Sequence, residues 1–328
     1  GSSTTFTLAG TLPAFAIAPP DSVVQACLYQ EYESVTVAAG GALRAAPWDG
    51  SRGGVLAFSA ASVTVEGRVD ADAAGFRGGE LRVDEDGASG VTVLDTVVPG
   101  SGGGKGEGPD SRSFRLSGRG NYASGAGGGN NHNAGGGGGG SGGAGGRGGK
   151  QYPSGGTDVP LTSGLGGAAV DLPGRLLLGG GGGAGHQNDS VGGRGGRGGG
   201  IVWITTVSLA GAGTIAANGD DGEDAGTAPN GNGDAAGGGG AGGWVRIDAG
   251  ASVFTGLLSA TGGVGGDTVL DDDLGLGPGG GGGGGHVEAF SWAPGDIALA
   301  GGPNGLFRGM TITTSWNATP GTAGTLSN

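Results

Sequence analysis

Residues 192–210 read GGRGGRGGGIVWITTVSLA, and this stretch contains the two patterns that decide the fold. Its first half repeats Gly-Gly-X, with Arg194 and Arg197 three residues apart. Its second half is an apolar, β-branched run that is typical of a strand. The same junction, in which glycines lead directly into a strand-like run, occurs again before Trp244 and His286. The chain therefore alternates glycine tracts with short strands.

The strand-like runs resemble one another, which indicates a repeat fold. Residues 27–37 (CLYQEYESVTV) align without a gap with residues 55–65 (VLAFSAASVTV), and residues 201–217 align with residues 55–71. Strands that stack on copies of themselves predict an all-β fold, a short parallel β-solenoid-like stack. A β-sandwich that carries a polyglycine layer is the alternative. The five units begin near Cys27, Val55, Ile201, Trp244 and His286.

The glycine tracts have a period of three. In residues 141–150 the side chains of Ala144, Arg147 and Lys150 are three positions apart. A polyproline II helix has three residues per turn and no internal hydrogen bonds. A period of three therefore leaves two faces as bare backbone, through which neighbouring helices can bond N–H to C=O. The tracts predict bundled polyproline II (polyglycine II) helices packed on the stack, and flexible linkers are the alternative.

We expect a single domain, 1–328, and the repeats divide it into five parts. Its parts are an N-terminal strand segment (1–26), the first two repeat units (27–75), a glycine-rich insertion (76–200), three repeat units with glycine-rich excursions (201–309) and a C-terminal strand or tail (310–328).

Composition excludes several classes of protein. Glycine supplies 91 of 328 residues, against about 7% in ordinary proteins, so long helices are excluded. The net charge of −13 argues against nucleic acid as a partner, because phosphate backbones would be repelled. No apolar run approaches about 20 residues, so we expect no membrane span. One cysteine, Cys27, excludes an internal disulfide framework.

The alternation of Gly-Gly-X tracts with strands resembles known glycine-rich proteins. The stretches GGGGAGGWVRI (237–247) and GGGGGGHVEAF (280–290) are similar to those of bacterial glycine-rich secreted and surface proteins, including large ones of gliding myxobacteria. The tracts also resemble the polyglycine-helix layers of phage tail-tip adhesins and the glycine-rich domain of anaplastic lymphoma kinase receptors. The resemblance implies a secreted, extracellular or cell-surface protein that works in adhesion or assembly rather than catalysis.

Acidic and amide side chains gather in one glycine-rich region and are candidate metal ligands. Alternating Asx residues in such a loop can supply the oxygen ligands that Ca²⁺ takes, although the bidentate Glu of an EF-hand is absent. Solvated loop tips that keep the surface soluble are the alternative. We expect no other cofactor. The candidate calcium ligands are Asp220, Asp221, Glu223, Asp224, Asn230, Asn232 and Asp234.

Other candidate chemistry is sparse, and we expect no enzyme. No G-x-S-x-G motif accompanies a serine nucleophile, and a polysaccharide-active β-solenoid enzyme is retained only as a fold-level alternative. The arginines of the tracts are expected to bond carbonyls or carboxylates of a neighbouring tract. Trp203 and Trp244 occupy matching strands and are expected in core or tract-capping contacts, with a glycan-stacking platform as the alternative. The histidines are expected to hydrogen-bond across the tracts.

The two termini suggest self-assembly. Residues 4–18 (TTFTLAGTLPAFAIA) and 310–316 (MTITTSW) are β-prone and almost uncharged. They either cap the open ends of their own stack or add to a neighbouring copy, which would produce a filament. We therefore expect a structural or adhesive protein whose main partner is itself. The alternatives are an adhesin tip that binds a surface glycan or a protein receptor, and an ice-binding protein.

Overall fold

Fourteen strands in three sheets make up the regular structure of the described residues. The computed structural model describes residues 25, 27–82, 102–109, 117–153, 162–171, 175–227, 231–270, 273–290 and 295–327, and no helix occurs among them. The strands are β1 (Gln30–Val37), β2 (Ala42–Arg44), β3 (Val55–Val65), β4 (Arg68–Asp70), β5 (Ile201–Ala210), β6 (Thr214–Ala216), β7 (Trp244–Ser252), β8 (Leu257–Ser259), β9 (Thr268–Val269), β10 (His286–Phe290), β11 (Asp296–Ala298), β12 (Phe307–Arg308), β13 (Thr313–Thr314) and β14 (Thr325–Ser327).

The two larger sheets are parallel throughout and run in chain order. The first sheet has the order β1-β3-β5-β7-β10-β14, and the second has the order β2-β4-β6-β8-β11. Each unit places one long strand in the first sheet and one short strand in the second. The fold is therefore all-β, with mostly parallel strands in stacked sheets. This is compatible with the predicted solenoid-like stack, and it differs from the antiparallel sheets usual in sandwiches.

The register of the stack follows the sequence repeats. Phe58 lies opposite Ile204, and Val69 lies opposite Ile215, as the alignment of the units predicts. The five predicted units supply five adjacent strands of the first sheet. The structure adds a sixth strand, β14, which pairs in parallel with β10. This strand has only three residues, too few for a repeat to be recognised in the sequence.

Apolar residues at alternate positions of both sheets form one shared core. In β5, Val202 and Ile204 are fully buried, whereas Trp203 and Thr205, which follow them, are partly exposed on the other face. The buried residues of the short strands, Ile215 in β6 and Leu258 in β8, belong to the same core. This alternation is the side-chain period of a strand, and the core fixes the register because a slip of one residue would expose it.

The corner between the two sheets is built from stacked glycines. A Cβ atom on Gly213 would lie 2.2 Å from the carbonyl oxygen of Gly67, and one on Gly256 would lie 2.0 Å from that of Gly213. The backbones of the second, third and fourth units therefore touch the backbone of the unit before them at this corner. A side chain here would separate those units, which explains why they carry glycine at this position, whereas Gly295 of the fifth unit has no such close contact.

The third sheet lies outside the repeat, and its strands β9, β12 and β13 come from the C-terminal part of the chain. Strand β12 pairs in parallel with β9 and antiparallel with β13. The predicted β-prone segment 310–316 thus pairs within its own chain through Thr313–Thr314. The other β-prone segment, 4–18, falls outside the described residues.

Candidate functional site

Four glycine-rich tracts, residues 135–140, 179–186, 236–243 and 277–285, form what we call the central tracts. In residues 179–186 every backbone N–H donates a hydrogen bond to another segment. The N–H groups of Gly179, Gly182 and Gly185 reach segment 193–199, and the residues between them reach two further segments in turn. The direction of the donated bond therefore repeats every third residue.

The carbonyl groups of each central tract bond to three more segments. Gly280 and Gly283, for example, donate to the carbonyls of Gly136 and Gly139. Donated and accepted bonds together join tract 135–140 to six neighbouring segments, which are 146–149, 236–239, 124–127, 164–167, 280–283 and 180–183. Each of the other three central tracts likewise bonds to six segments. We call this network the glycine lattice.

The lattice is too close-packed for side chains. A Cβ atom on Gly139 would lie 2.1 Å from the carbonyl oxygen of Gly180, and one on Gly282 would lie 2.0 Å from that of Gly240. Real Cβ atoms do not approach an oxygen so closely. The need for glycine in these tracts therefore comes from the approach of neighbouring backbones.

Side chains at the rim of the lattice continue its bonding pattern. The side chains of Asn218, Asp221 and Asp224, three residues apart, accept hydrogen bonds from the N–H groups of Thr261, Val264 and Asp267 at 2.8, 2.7 and 2.7 Å. The hydroxyls of Thr319 and Thr322 accept bonds from the N–H groups of Arg147 and Ala144 in the same way. We call the first set the Asx ladder.

The predicted calcium ligands point in different directions. The carboxylates of Asp221 and Asp224 belong to the Asx ladder and face segment 261–267. Glu223 instead faces Arg194, with its Oε2 3.6 Å from the guanidinium. Burial raises the pKa of Asp220. No group of three or more His, Cys, Asp or Glu side chains that could hold a metal occurs in the described part of the chain.

Two further predicted ligands lie near a cleft, and one lies outside the described residues. Asn232 lines the cleft, and Asp234 is fully buried behind it. Asn230 belongs to the undescribed residues 228–230. The calcium site therefore stays a prediction.

Arg194, Arg197 and Trp244 make contacts of the kind that the sequence predicts. Arg194 pairs with Glu80 at 2.9 Å, and the Nε of Arg197 donates to the carbonyl of Ala73 at 3.0 Å. Trp244 is buried and stacks on His286, with ring centroids 3.8 Å apart. Trp203 instead lies partly exposed on the outer face of β5, where the guanidinium of Arg246 is 5.4 Å and the ring of Tyr29 is 5.5 Å from its ring centroid.

A cleft of about 360 Å³ opens beside the lattice, and we call it the polar cleft. Its floor is apolar, because Leu270 and Leu276 are buried there and pack with Phe307 in a small second core. The polar residues that line it are His132, Asn133, Tyr152, Asn188, Asp189 and Asn232.

One wall of the polar cleft is a tight turn beside the lattice. His132 and Asn133 have φ angles of 29° and 64°, in the left-handed region. The carbonyl of His132 accepts the N–H of Tyr152 at 2.9 Å, and the two rings meet edge to face with centroids 5.3 Å apart. The N–H of Asn133 donates to Nδ1 of His186 at 3.2 Å, a histidine bond across tracts of the predicted kind.

The opposite wall is held by the buried carboxylate of Asp234. Its two oxygens accept the N–H groups of Asn188, Asp189 and Val191 at 2.9–3.2 Å. Burial raises the pKa of Asp234, and the three backbone donors oppose that rise. The carboxylate therefore fixes the turn that presents Asn188 and Asp189 to the cleft, and its lone pairs are engaged in doing so.

The cleft could not be predicted from the sequence, because its lining residues are dispersed along the chain. Asn232 is predicted only as a calcium ligand, and His132 only as one of the histidines that hydrogen-bond across the tracts. The separation of Asn133 from Gly233, whose carbonyl accepts the Asn133 amide at 3.0 Å, is 100 residues. No local pattern could have brought these positions together.

Comparison with known proteins does not identify a family for this chain. No protein-family model, curated protein or solved structure matches the chain. A helix with the length and hydropathy needed to cross a membrane is not found among the described residues.

Proposed function

We propose that this protein is a non-enzymatic structural or adhesive protein of the cell exterior, and that its central tracts are polyglycine II helices. The observation that carries the proposal is the glycine lattice, in which each central tract bonds to six neighbouring segments. A lattice of this kind gives rigidity without a disulfide framework, which the single cysteine excludes.

The three-residue periodicity supports the assignment to polyglycine II. A helix with three residues per turn sends successive N–H groups in three directions, and it makes no bonds within itself. Every donor must then find a partner in another segment, as the donors of residues 179–186 do. A flexible linker behaves as a random coil and would not keep this periodic pattern of hydrogen bonds.

The energetics favour a bundle over isolated tracts. Fixing one residue costs about 1–2 kcal/mol of backbone entropy, and a net hydrogen bond contributes only about 0.5–1.5 kcal/mol. A tract with few neighbours would therefore stay disordered. A central tract donates and accepts a bond at nearly every residue and also gains close backbone contact, so order requires the complete layer. The resulting scaffold suits a load-bearing or adhesive role.

Two parts of the proposal have different support. The location outside the cell is inferred from the resemblance to secreted glycine-rich proteins, and the non-enzymatic role is inferred from the residues of the polar cleft. Among the described residues that line the polar cleft, Asp189 is the only carboxylate. Hydrolysis of a glycosidic bond ordinarily needs a pair of carboxylates. Immunogold labelling of thin sections of source cells would test the location, and labelling confined to the cell interior would contradict it.

Hydrogen exchange tests the scaffold directly. We expect the amides of all four central tracts to exchange about 10⁴-fold or more slowly than in an unfolded chain. The buried strand β5 is the internal reference for protection, and the exposed strand β1 is the reference for a frayed edge. Rapid exchange throughout residues 135–140 and 179–186, with β5 protected, would contradict the lattice and with it the mechanical role.

A further inference from the structure

We propose that the polar cleft binds one ring of a neutral saccharide. This inference rests on the proposed function only in that the glycine lattice holds the walls of the cleft. Saccharide binding at the polar cleft would give the scaffold a specific adhesive contact. The volume of about 360 Å³ lies at the small end of the range for ligand pockets, about 300–1,000 Å³.

A buried amide oxygen in the lining points to a ligand. Asn133 is only 4% exposed, and its Nδ2 donates to the carbonyl of Gly233 at 3.0 Å. Its Oδ1 is buried and accepts no hydrogen bond from the residues that the structure describes. Buried acceptors are nearly always satisfied, so a hydroxyl donor in the cleft would complete the bonding of this side chain.

The lining has the mixture of surfaces that a sugar ring presents. Leu270 and Leu276 form an apolar floor for the C–H groups of a ring, and Tyr152 adds an aromatic edge. The amides of Asn188 and Asn232 can both donate to and accept from hydroxyl groups. The ligand class is therefore polyhydroxylated with one apolar face.

Charge selects a neutral ligand over an anionic one. No Lys or Arg lies among the described residues that line the cleft, and Asp189 adds a negative charge. The whole chain carries a net charge of −13. A sulfated or carboxylated sugar would meet repulsion without a compensating cation.

The walls of the cleft are fixed before a ligand arrives. Asp234 holds the turn of Asn188 and Asp189 through three backbone N–H groups. The turn of His132 and Asn133 is bonded to His186 at the end of a central tract. Preorganised walls reduce the entropy lost on binding. Asp234 is accordingly a positioning residue, which does not itself line the cleft.

The test is a titration of the full chain followed by amide NMR spectra. The probes are the methyl glycosides of glucose, galactose, mannose and N-acetylglucosamine, with glucuronate and calcium chloride as separate additions. We expect at least one neutral glycoside to shift the amide signals of residues 131–133, 188–189 and 231–233. We expect Asn232→Ala and Asp189→Ala to weaken that binding about ten-fold or more.

Matched controls separate this inference from the scaffold. Asn304→Ala removes an amide outside the cleft and should leave binding unchanged. Amide protection of the central tracts should be the same in all three variants, so loss of binding can be distinguished from loss of the lattice. The proposal is overturned if none of the four glycosides shifts the cleft signals. It is also overturned if glucuronate or calcium, and no neutral glycoside, shifts them, or if both cleft variants bind as the parent does.

Discussion

A methyl group placed on Gly139 would lie 2.1 Å from the carbonyl oxygen of Gly180. The neighbour is backbone and itself belongs to a central tract, so it cannot move aside without breaking its own bonds. Overpacking of this kind costs about 1–3 kcal/mol, and a lost hydrogen bond adds about 1 kcal/mol. We therefore expect Gly139→Ala to lower the free energy of unfolding by about 2–4 kcal/mol, measured by denaturant titration.

Gly295 is the matched control for this substitution. A Cβ atom there would meet no described atom closer than 3.9 Å. Gly295→Ala should therefore change the free energy of unfolding by less than about 0.5 kcal/mol. If the two variants were equally stable, close backbone contact could not be what requires glycine in the tracts.

Residues could be predicted from the sequence where their role follows from local spacing. Arg194 and Arg197 lie three apart on a glycine tract, and both bond to neighbouring segments as expected. The role of Asn133 could not be predicted, because its environment depends on Gly233, far away in the chain. Spacing identifies which residues share a face, whereas it does not identify what that face meets.

At the scale of elements, the pairing of the strands can be predicted from the sequence, whereas the pairing of the glycine tracts cannot. Val63 lies opposite Leu209 in the structure because each unit repeats its buried apolar positions, and a shifted register would expose them. A run of glycines has no such marker, so any tract could pair with any other at several registers. The strands at the ends of the tracts and the side chains at the rim set the register instead.

The Asx ladder is one such rim element, and its contribution can be measured. Asp221 accepts the N–H of Val264, and no backbone carbonyl of the described residues bonds to that N–H. We expect Asp221→Ala to speed amide exchange at Val264 and to lower the free energy of unfolding by about 1 kcal/mol. The exposed residue Asp296 in β11 supplies the control, Asp296→Ala, with little effect expected. Unchanged exchange at Val264 in the Asp221→Ala variant would show that the Asx ladder does not set the register of the tracts.

At the scale of the whole molecule, β1 and β14 are the outer strands of the first sheet, and no other described strand pairs with their outer edges. Strand β1 is exposed along most of its length, and all three residues of β14 are exposed. Because β1 and β14 belong to one parallel sheet, the two ends differ and are not related by symmetry. Contact between unlike ends does not close on itself, and repetition of that contact generates a filament.

We propose that copies of the chain assemble at β14 by strand addition, with residues 4–18 of a neighbouring copy as the added strand. This segment is apolar, is β-prone and precedes β1 in the sequence. The net charge of −13 makes copies repel one another, so assembly should require enough salt to screen that repulsion. Electron micrographs at physiological ionic strength should then show filaments.

A charge on an edge strand blocks pairing, so Leu326→Lys should abolish the filaments. Val253→Lys, at a 76% exposed site away from both edges, should leave them intact. Discrete particles of the parent protein at high concentration, or filaments that persist in the Leu326→Lys variant, would exclude assembly through this edge and leave the glycine lattice as the scaffold of a single molecule.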